Sequence, residues 1–144
     1  MKSPNPEDSI GFLVYEVSRL MRRDFDQRVH YLGLTQVQWR AIVHIARQEG
    51  CNQSLIADLL EVKPITVTRL IDRLVEQGWV VRKPDERDRR AVRLYLTEKA
   101  RPLLATMQEK ALETRAKALR GVSDEEFTIL AAALKKIKTN LSRV

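Results

Sequence analysis

The sequence predicts a mainly α-helical chain with one small β-hairpin. Two observations support this fold class. Apolar residues recur at spacings of three and four over most of the chain, which is typical of helices that bury one face. Two short β-rich runs, at residues 79–82 and 92–96, flank the polar segment KPDERDRRA, which is typical of two strands joined by a long turn.

Composition excludes several other classes of protein. With 44% hydrophobic and 31% charged residues, the 144-residue chain has a globular balance. A single cysteine, Cys51, excludes an internal disulfide framework and zinc sites built on cysteine pairs. No apolar run reaches the ~18 residues of a membrane helix, and the N-terminal residues have no signal-peptide core. We therefore expect a cytoplasmic protein with no cofactor and no metal.

Positive charge is concentrated in one segment. The formal net charge is +7, and residues 63–101 contain 11 Lys/Arg and 6 Asp/Glu, a net charge of +5. The other 105 residues carry a net charge of +2. A polyanionic partner is therefore expected to bind mainly through residues 63–101.

The first helix is predicted to follow a short flexible lead of residues 1–8. Asp8 or Ser9 caps it, and it continues to about His30. Its apolar stripe follows spacings of three and four, at Ile10, Val14, Val17, Met21, Phe25 and Val29.

Two further helices are predicted before residue 61. Thr35 and Gln38 have the spacing of a capping box, so the second helix begins at Thr35 and continues to about Gln48. A short third helix starts at Asn52 or Ser54.

The fourth helix is predicted from Pro64, where proline suits the first helical position, to Gln77. Its residues form an apolar inner face and a polar outer face: Leu70, Ile71 and Leu74 inside, Thr66, Arg69 and Arg73 outside. Such hydroxyl and guanidinium groups can contact base edges in the major groove of DNA. The third and fourth helices, joined by a tight turn and followed by a basic hairpin, have the order of a winged helix-turn-helix.

The hairpin is strongly basic at its tip. Six cations lie within 12 residues: Arg82, Lys83, Arg87, Arg89, Arg90 and Arg93. Asp85, Glu86 and Asp88 are interleaved, and we expect them to pair with arginines and fix the shape of the loop. The alternative is a solvated charged hairpin. The preceding helix-turn-helix favours a tip that enters the narrow minor groove.

Two helices are predicted after the hairpin. The first runs from Thr97 to about Leu119, and Pro102 lies beyond its first turn, so we expect a bend or a loose start there. The last runs from a capping box at Ser123 and Glu126 to about Ser142. It carries an apolar seam with heptad spacing, at Phe127, Leu130, Leu134, Ile137 and Leu141. The seam packs either on the chain's own core or on a second subunit, and we favour the second subunit.

Three segments resemble the MarR family of regulators, and within it the SlyA type. They are LGLTQVQW at 32–39, SLIADLLEVKPITVTRLIDRLVEQGWVVR at 54–82, and DERDRRAVRLYLTEKA at 85–100. The last contains a spacing similar to the family's wing motif, with an aspartate at 85 and arginines at 87 and 90.

The resemblance implies a winged helix-turn-helix flanked by N- and C-terminal dimerisation helices. It divides the chain into a dimerisation helix at 1–34, a DNA-binding domain at 35–100 and dimerisation helices at 101–144. It further implies a homodimeric transcriptional regulator that binds a pseudo-palindromic operator in double-stranded DNA. The alternative is a non-specific architectural DNA-binding protein.

The resemblance also implies which residues contact DNA. Arg69 is expected to contact a base or an adjacent phosphate, and an arginine of the wing is expected to enter the minor groove. Asp88 is expected to orient a wing arginine, and Ser54 to cap the supporting helix and contact a phosphate. The full expected set is Ser54, Pro64, Ile65, Thr66, Thr68, Arg69, Arg73, Arg87, Asp88, Arg89 and Arg90.

A small aromatic carboxylate or phenolic effector is implied as well. Its expected pocket has Trp39 and Val43 as walls, four residues apart on one helix face, and Arg19 and Arg22 as a carboxylate clamp. Relatives of the SlyA type can carry a histidine four residues after this tryptophan. In this sequence the histidine is His44, one residue later, so it faces Arg40 instead. The alternative is that the tryptophan and valine are core residues and the arginines make salt bridges.

An enzyme is not expected. The chain has two histidines, His30 and His44, and no nucleophile elbow, phosphate-binding loop or dinucleotide fingerprint. His30, near a helix end, is expected to be a cap or a dimer contact. Cys51 has no basic neighbour in sequence except Arg47, so we expect a partly buried thiol with no redox role.

Overall fold

The computed structural model describes Asn5 and residues 8–143. The predicted lead therefore lies almost entirely outside the described residues. The elements in order are α1 (Ile10–Val29), a 3-10 turn (His30–Leu32), α2 (Gln36–Arg47), α3 (Gln53–Leu60), α4 (Pro64–Glu76), β1 (Val80–Pro84), β2 (Val92–Leu96), α5 (Ala100–Ala118) and α6 (Asp124–Ser142). The predicted fold class, mainly helical with a small β-wing, is confirmed.

Local capping explains where most helices begin. The Ser9 hydroxyl accepts a hydrogen bond from the Phe12 amide at 3.3 Å, which selects Ser9 from the two predicted caps of α1. Thr35 and Gln38 satisfy each other's backbone amides at 3.3 and 3.0 Å, so the capping box of α2 is confirmed. Ser123 and Glu126 do the same for α6, at 3.1 Å in both directions.

The predicted cap of α3 at Ser54 is wrong. Asn52 caps this helix, because its backbone is extended and its amide oxygen accepts from the Leu55 amide at 2.8 Å. Ser54 is the second residue of the helix and is exposed.

The predicted start of α5 at Thr97 is also wrong. The Thr97 hydroxyl donates to the Gly78 carbonyl at 2.5 Å, and the helix begins three residues later, at Ala100. Pro102 is therefore in the first turn, where an amide has no helical partner in any case. The predicted bend had its cause in the earlier start, and that cause disappears.

The two strands form an antiparallel hairpin that is joined to the helices. Val80 pairs with Leu96, and Pro84 pairs with Val92. Leu94 extends the pairing to the turn before α3: its amide donates to the Cys51 carbonyl and its carbonyl accepts from the Gly50 amide, both at 2.8 Å. The wing is therefore anchored at its base to the helix-turn-helix.

An aliphatic core lies between α2, α3, α4, the base of the hairpin and the start of α5. Its largest fully buried side chains include Ile42, Ile45, Ile56, Ile71, Leu74, Leu94 and Met107. Burying one such side chain stabilises the fold by ~1.5–3 kcal/mol.

The terminal helices leave apolar surface uncovered. Of the α1 stripe, Phe25 and Val29 are buried, whereas the four residues nearer the N-terminus are exposed. No described residue of α6 is buried, and Leu134 of its seam is 39% exposed. The seam therefore does not cover the chain's own core. In the described part of the chain, no helix is long and apolar enough to cross a membrane.

Candidate nucleic-acid interface

Helix α4 presents one polar face to solvent. Val67, Leu70, Ile71 and Leu74 are buried, which turns the opposite side of the helix outward. The predicted contact residues on that side are exposed, namely Pro64, Ile65, Thr66, Arg69 and Arg73. A side chain such as Ile65, 59% exposed at the start of the helix, offers the apolar contact that a thymine methyl group accepts.

Carboxylates shape the tip of the wing, as predicted. Asp85 accepts hydrogen bonds from the backbone amides of Arg87 at 2.8 Å and Asp88 at 3.3 Å, and from Arg93 Nε at 2.8 Å. The Arg87 amide, followed by the Arg93 guanidinium, lowers the pKa of the Asp85 carboxyl. Asp88 accepts from the backbone amide of Arg90 at 3.0 Å, so it orients the main chain of that arginine.

The wing cations fall into two groups. Arg82 and Arg93 make ion pairs with carboxylates of the same chain. Three tip arginines are exposed, and their guanidiniums make no ion pair within the described residues: Arg87, Arg89 and Arg90. The charge available to a ligand is therefore at the tip.

Arg82 lies at the centre of a network that the sequence analysis missed. Its Nε donates to Gln53 Oε1 at 2.9 Å, and its Nη2 contacts the Thr68 carbonyl at 3.3 Å and Asp72 Oδ1 at 2.6 Å. Thr68, expected to contact DNA, is half-buried, and its hydroxyl donates to the Pro64 carbonyl at 3.1 Å. The available signal was the spacing of Thr68 and Asp72, one helical turn apart on α4.

The end of α4 is held by the segment before α5. Lys99 Nζ donates to the Gln77 carbonyl at 2.8 Å and lies 4.5 Å from the centre of the Trp79 ring. Thr97 bonds the next carbonyl, that of Gly78. The LTEKA segment therefore satisfies carbonyl groups that the end of the helix leaves unpaired.

The predicted effector-pocket residues are dispersed in the structure. Trp39 is 6% exposed and packs edge-to-face on Phe25 with 4.5 Å between ring centres, while its Nε1 donates to Asp26 at 2.9 Å. Val43 and Arg22 are half-buried, and Arg19 pairs with Glu16 on the surface at 3.3 Å.

The cavity of about 430 Å³ between α1 and α5 has none of the four predicted residues in its lining. Its walls include Leu20, Met21 and Ala118, together with Asp24 and Lys117.

Two basic side chains of α2 lie in unfavourable surroundings. Burial, followed by the charge of Arg22, lowers the pKa of Arg40. Burial also lowers the pKa of His44, with further contributions from Arg40 and Arg47. His44 thus lies near Arg40, as expected from its displaced position. An anion bound between these groups would relieve the repulsion.

Cys51 has the properties of a structural thiol. It is half-buried, and burial raises the pKa of the thiol, so little thiolate forms at neutral pH. Among the described residues, no three His, Cys, Asp or Glu side chains form a group that could hold a metal ion.

A helix-turn-helix whose second helix leads into a basic hairpin defines a winged-helix DNA-binding protein. Comparison with known proteins gives the family. A model of the MarR family matches residues 34–92. The crystal structure of transcriptional regulator PA3341 is 34% identical, with a TM-score of 0.82 over 92% of this chain and 98% of that chain.

Two other crystal structures agree. A MarR transcriptional regulator from Methanosarcina mazei Go1 is 27% identical, with a TM-score of 0.80 over 91% of this chain and 94% of that chain. The transcriptional regulator SlyA is 28% identical, with a TM-score of 0.79 over 93% and 94%. The chain belongs to the MarR family, and its function is that of a DNA-binding transcriptional regulator.

Proposed function

We propose that the chain is a homodimeric, sequence-specific regulator that binds a pseudo-palindromic operator with one winged helix from each subunit. Helix α4 is the recognition helix and enters the major groove, and the wing tip enters the adjacent minor groove. One observation carries the proposal. Exposed cations of α4 and the wing tip make no ion pair within the described residues, whereas Arg82 and Arg93 beside them are neutralised.

The exposed residues have distinct roles in this proposal. Arg69 contacts a base edge or the adjacent phosphate, and Arg73 a phosphate. Among the tip residues, Arg89 and Arg90 are placed to enter the minor groove, and Asp88 holds the main chain there. Ser54, exposed in the first turn of α3, contributes a phosphate contact without being the cap. Pro64, Ile65, Thr66, Thr68 and Arg87 complete the interface.

The dimer interface consists of the terminal helices. Residues 1–34 and 101–144 supply it, and residues 35–100 form the DNA-binding domain. The exposed apolar surface of α1 and the seam of α6 support this division, because a soluble monomer rarely leaves such large contiguous patches uncovered. Leu134→Glu should convert the dimer to a monomer in light scattering. Ala132→Glu places the same charge on the opposite side of α6 and should leave a dimer; a dimer in both variants refutes the seam.

Sequence-specific binding is tested with a duplex selected from a random pool by the wild-type protein. At ~150 mM salt, near physiological ionic strength, the selected duplex should bind at least ~10³-fold more tightly than a scrambled one. Arg69→Ala and Arg90→Ala should each weaken binding, and Arg120→Ala, on the exposed end of α5, should not. Equal affinity for both duplexes would establish the architectural alternative.

A small aromatic acid or phenol is proposed to release the DNA. The support is the repulsion between Arg22 and Arg40, which an aromatic carboxylate would reduce, beside the aromatic wall of Trp39. Salicylate at millimolar concentration should raise the melting temperature and weaken operator binding. Arg22→Gln should abolish both effects, and Arg120→Gln should preserve them. No shift with the wild type would remove the effector site from the proposal.

A further inference from the structure

Arg82 connects three elements of the DNA-binding domain. It lies on β1, its Nε donates to Gln53 at the start of α3, and its Nη2 contacts both Thr68 and Asp72 of α4. A second bond closes the network, because Gln53 Nε2 donates to the Thr68 hydroxyl at 3.4 Å. A planar guanidinium is suited to this arrangement, since its donors are held in a fixed fork.

The same contacts leave Arg82 poorly suited to bind a phosphate. Its side chain is 29% exposed, and Asp72 neutralises its charge at 2.6 Å. A phosphate contact would require breaking this ion pair. The exposed tip arginines, Arg87, Arg89 and Arg90, carry no such cost.

We propose that Arg82 is a positioning residue for specific DNA binding, which sets the angle between the recognition helix and the wing without contacting DNA. Base edges and the minor groove are read at the same time, so an error in this angle displaces one set of contacts from its register. Phosphate attraction depends little on this angle, because it is not sequence-specific. The inference rests on the proposed sequence-specific function.

Three variants separate positioning from direct contact. Arg82→Gln removes the charge and most of the fork. Arg82→Lys keeps the charge, which a phosphate contact could still use, but cannot satisfy three acceptors in one plane. Arg89→Gln, at the wing tip, is the matched control for a cation that contacts DNA. Each protein is titrated with the selected duplex and a scrambled duplex between 50 and 200 mM salt, a range in which phosphate contacts are resolved.

Both Arg82 variants should lose about tenfold in affinity for the selected duplex, a loss comparable to that from one mismatched base pair. Their affinity for the scrambled duplex and the salt slope should stay near those of the wild type. Arg89→Gln should weaken binding to both duplexes and reduce the salt slope by about 1. Asp72→Asn should reproduce the loss of preference, and the double variant Arg82→Gln/Asp72→Asn should lose less than the sum of the single effects.

Two outcomes would overturn the inference. A salt slope reduced by about 1 in Arg82→Gln, with normal binding by Arg82→Lys, would establish a phosphate contact. An unchanged preference in both variants would show that the network only stabilises the fold. If either variant fails to fold by circular dichroism, Gln53→Ala removes one neutral bond of the same network and is measured instead. Wild-type protein without preference for the selected duplex refutes the proposed function itself, before any variant is compared.

Discussion

Asp24 holds the joint between α1 and α5, and its replacement gives a quantitative test of the structure. Its carboxylate accepts from Arg28 Nε at 2.7 Å, Thr114 Oγ1 at 2.8 Å and Lys117 Nζ at 2.9 Å. A hydrogen bond to a charged group contributes ~1.5–3 kcal/mol. Lys117 is 58% exposed, so its contribution is small. We expect Asp24→Asn to lower the free energy of unfolding by about 2 kcal/mol.

The expected loss can be measured by thermal unfolding. For a chain of about this size, 2 kcal/mol corresponds to a fall in the melting temperature of roughly 4–8 °C. Protein concentration is kept constant, because dimerisation makes the melting temperature depend on it. Asp58→Asn is the matched control. Asp58 is exposed on α3 and makes no ion pair within the described residues, so its change should stay within ~0.5 kcal/mol.

The effect should depend on pH in a defined direction. Hydrogen bonds from Arg28, then Lys117 and Thr114, hold the pKa of Asp24 far below its usual value. A lowered pKa stabilises the fold above the ordinary carboxyl pKa of ~3.9, and this contribution is lost as the pH falls below it. The difference between wild type and Asp24→Asn should therefore be constant from pH 8 to 5 and narrow below pH 4. Equal melting temperatures at pH 7, or a gap that does not change in acid, would refute the assignment.

Two further predictions concern the second helix and the turn that follows it. Thr35→Ala removes the oxygen that accepts from the Gln38 amide and should cost ~1 kcal/mol in thermal unfolding, and an unchanged melting temperature would contradict the capping box. Because burial raises the pKa of the Cys51 thiol, iodoacetamide at pH 8 should alkylate it more slowly in the folded protein than in urea. Equal rates in the two conditions would be inconsistent with this burial.

Local signals in the sequence predicted most of the fold. Capping boxes at Thr35 and Ser123 and the proline at the start of α4 depend on neighbouring residues, so they were visible without the structure. The errors at Ser54 and Thr97 have a different origin. Asn52 competes with Ser54 for the same cap, and the hydroxyl of Thr97 is used by a distant carbonyl, that of Gly78.

The candidate site was predictable in its position but not in its internal pairing. The basic segment was evident from the sequence, and Asp85 was expected to pair with an arginine. The contact of Arg82 with Gln53 spans 29 residues and depends on how β1 packs on the helices. Trp39 illustrates the same difficulty, because its partner Asp26 lies on α1, 13 residues away. Sequence spacing predicts which residues share one helix face, whereas contacts between elements require the fold.

The pairing within residues 63–101 determines how much of their charge can bind phosphate. Arg82, Arg93 and Arg101 make ion pairs, Lys99 bonds a backbone carbonyl and Lys83 lies over Tyr95. The cations of this segment without such a contact within the described residues are Lys63, Arg69, Arg73, Arg87, Arg89 and Arg90.

Those cations limit the salt dependence of DNA binding. Each neutralised phosphate contributes about −0.9 to the slope of log K against log salt, so a dimer with six such cations per subunit should give a slope no steeper than about −11. If all 11 cations of the segment contacted phosphates, the slope would approach about −20. A titration of the selected duplex between 50 and 200 mM salt distinguishes these values. A slope much steeper than −11 would mean that the internal ion pairs open when DNA binds.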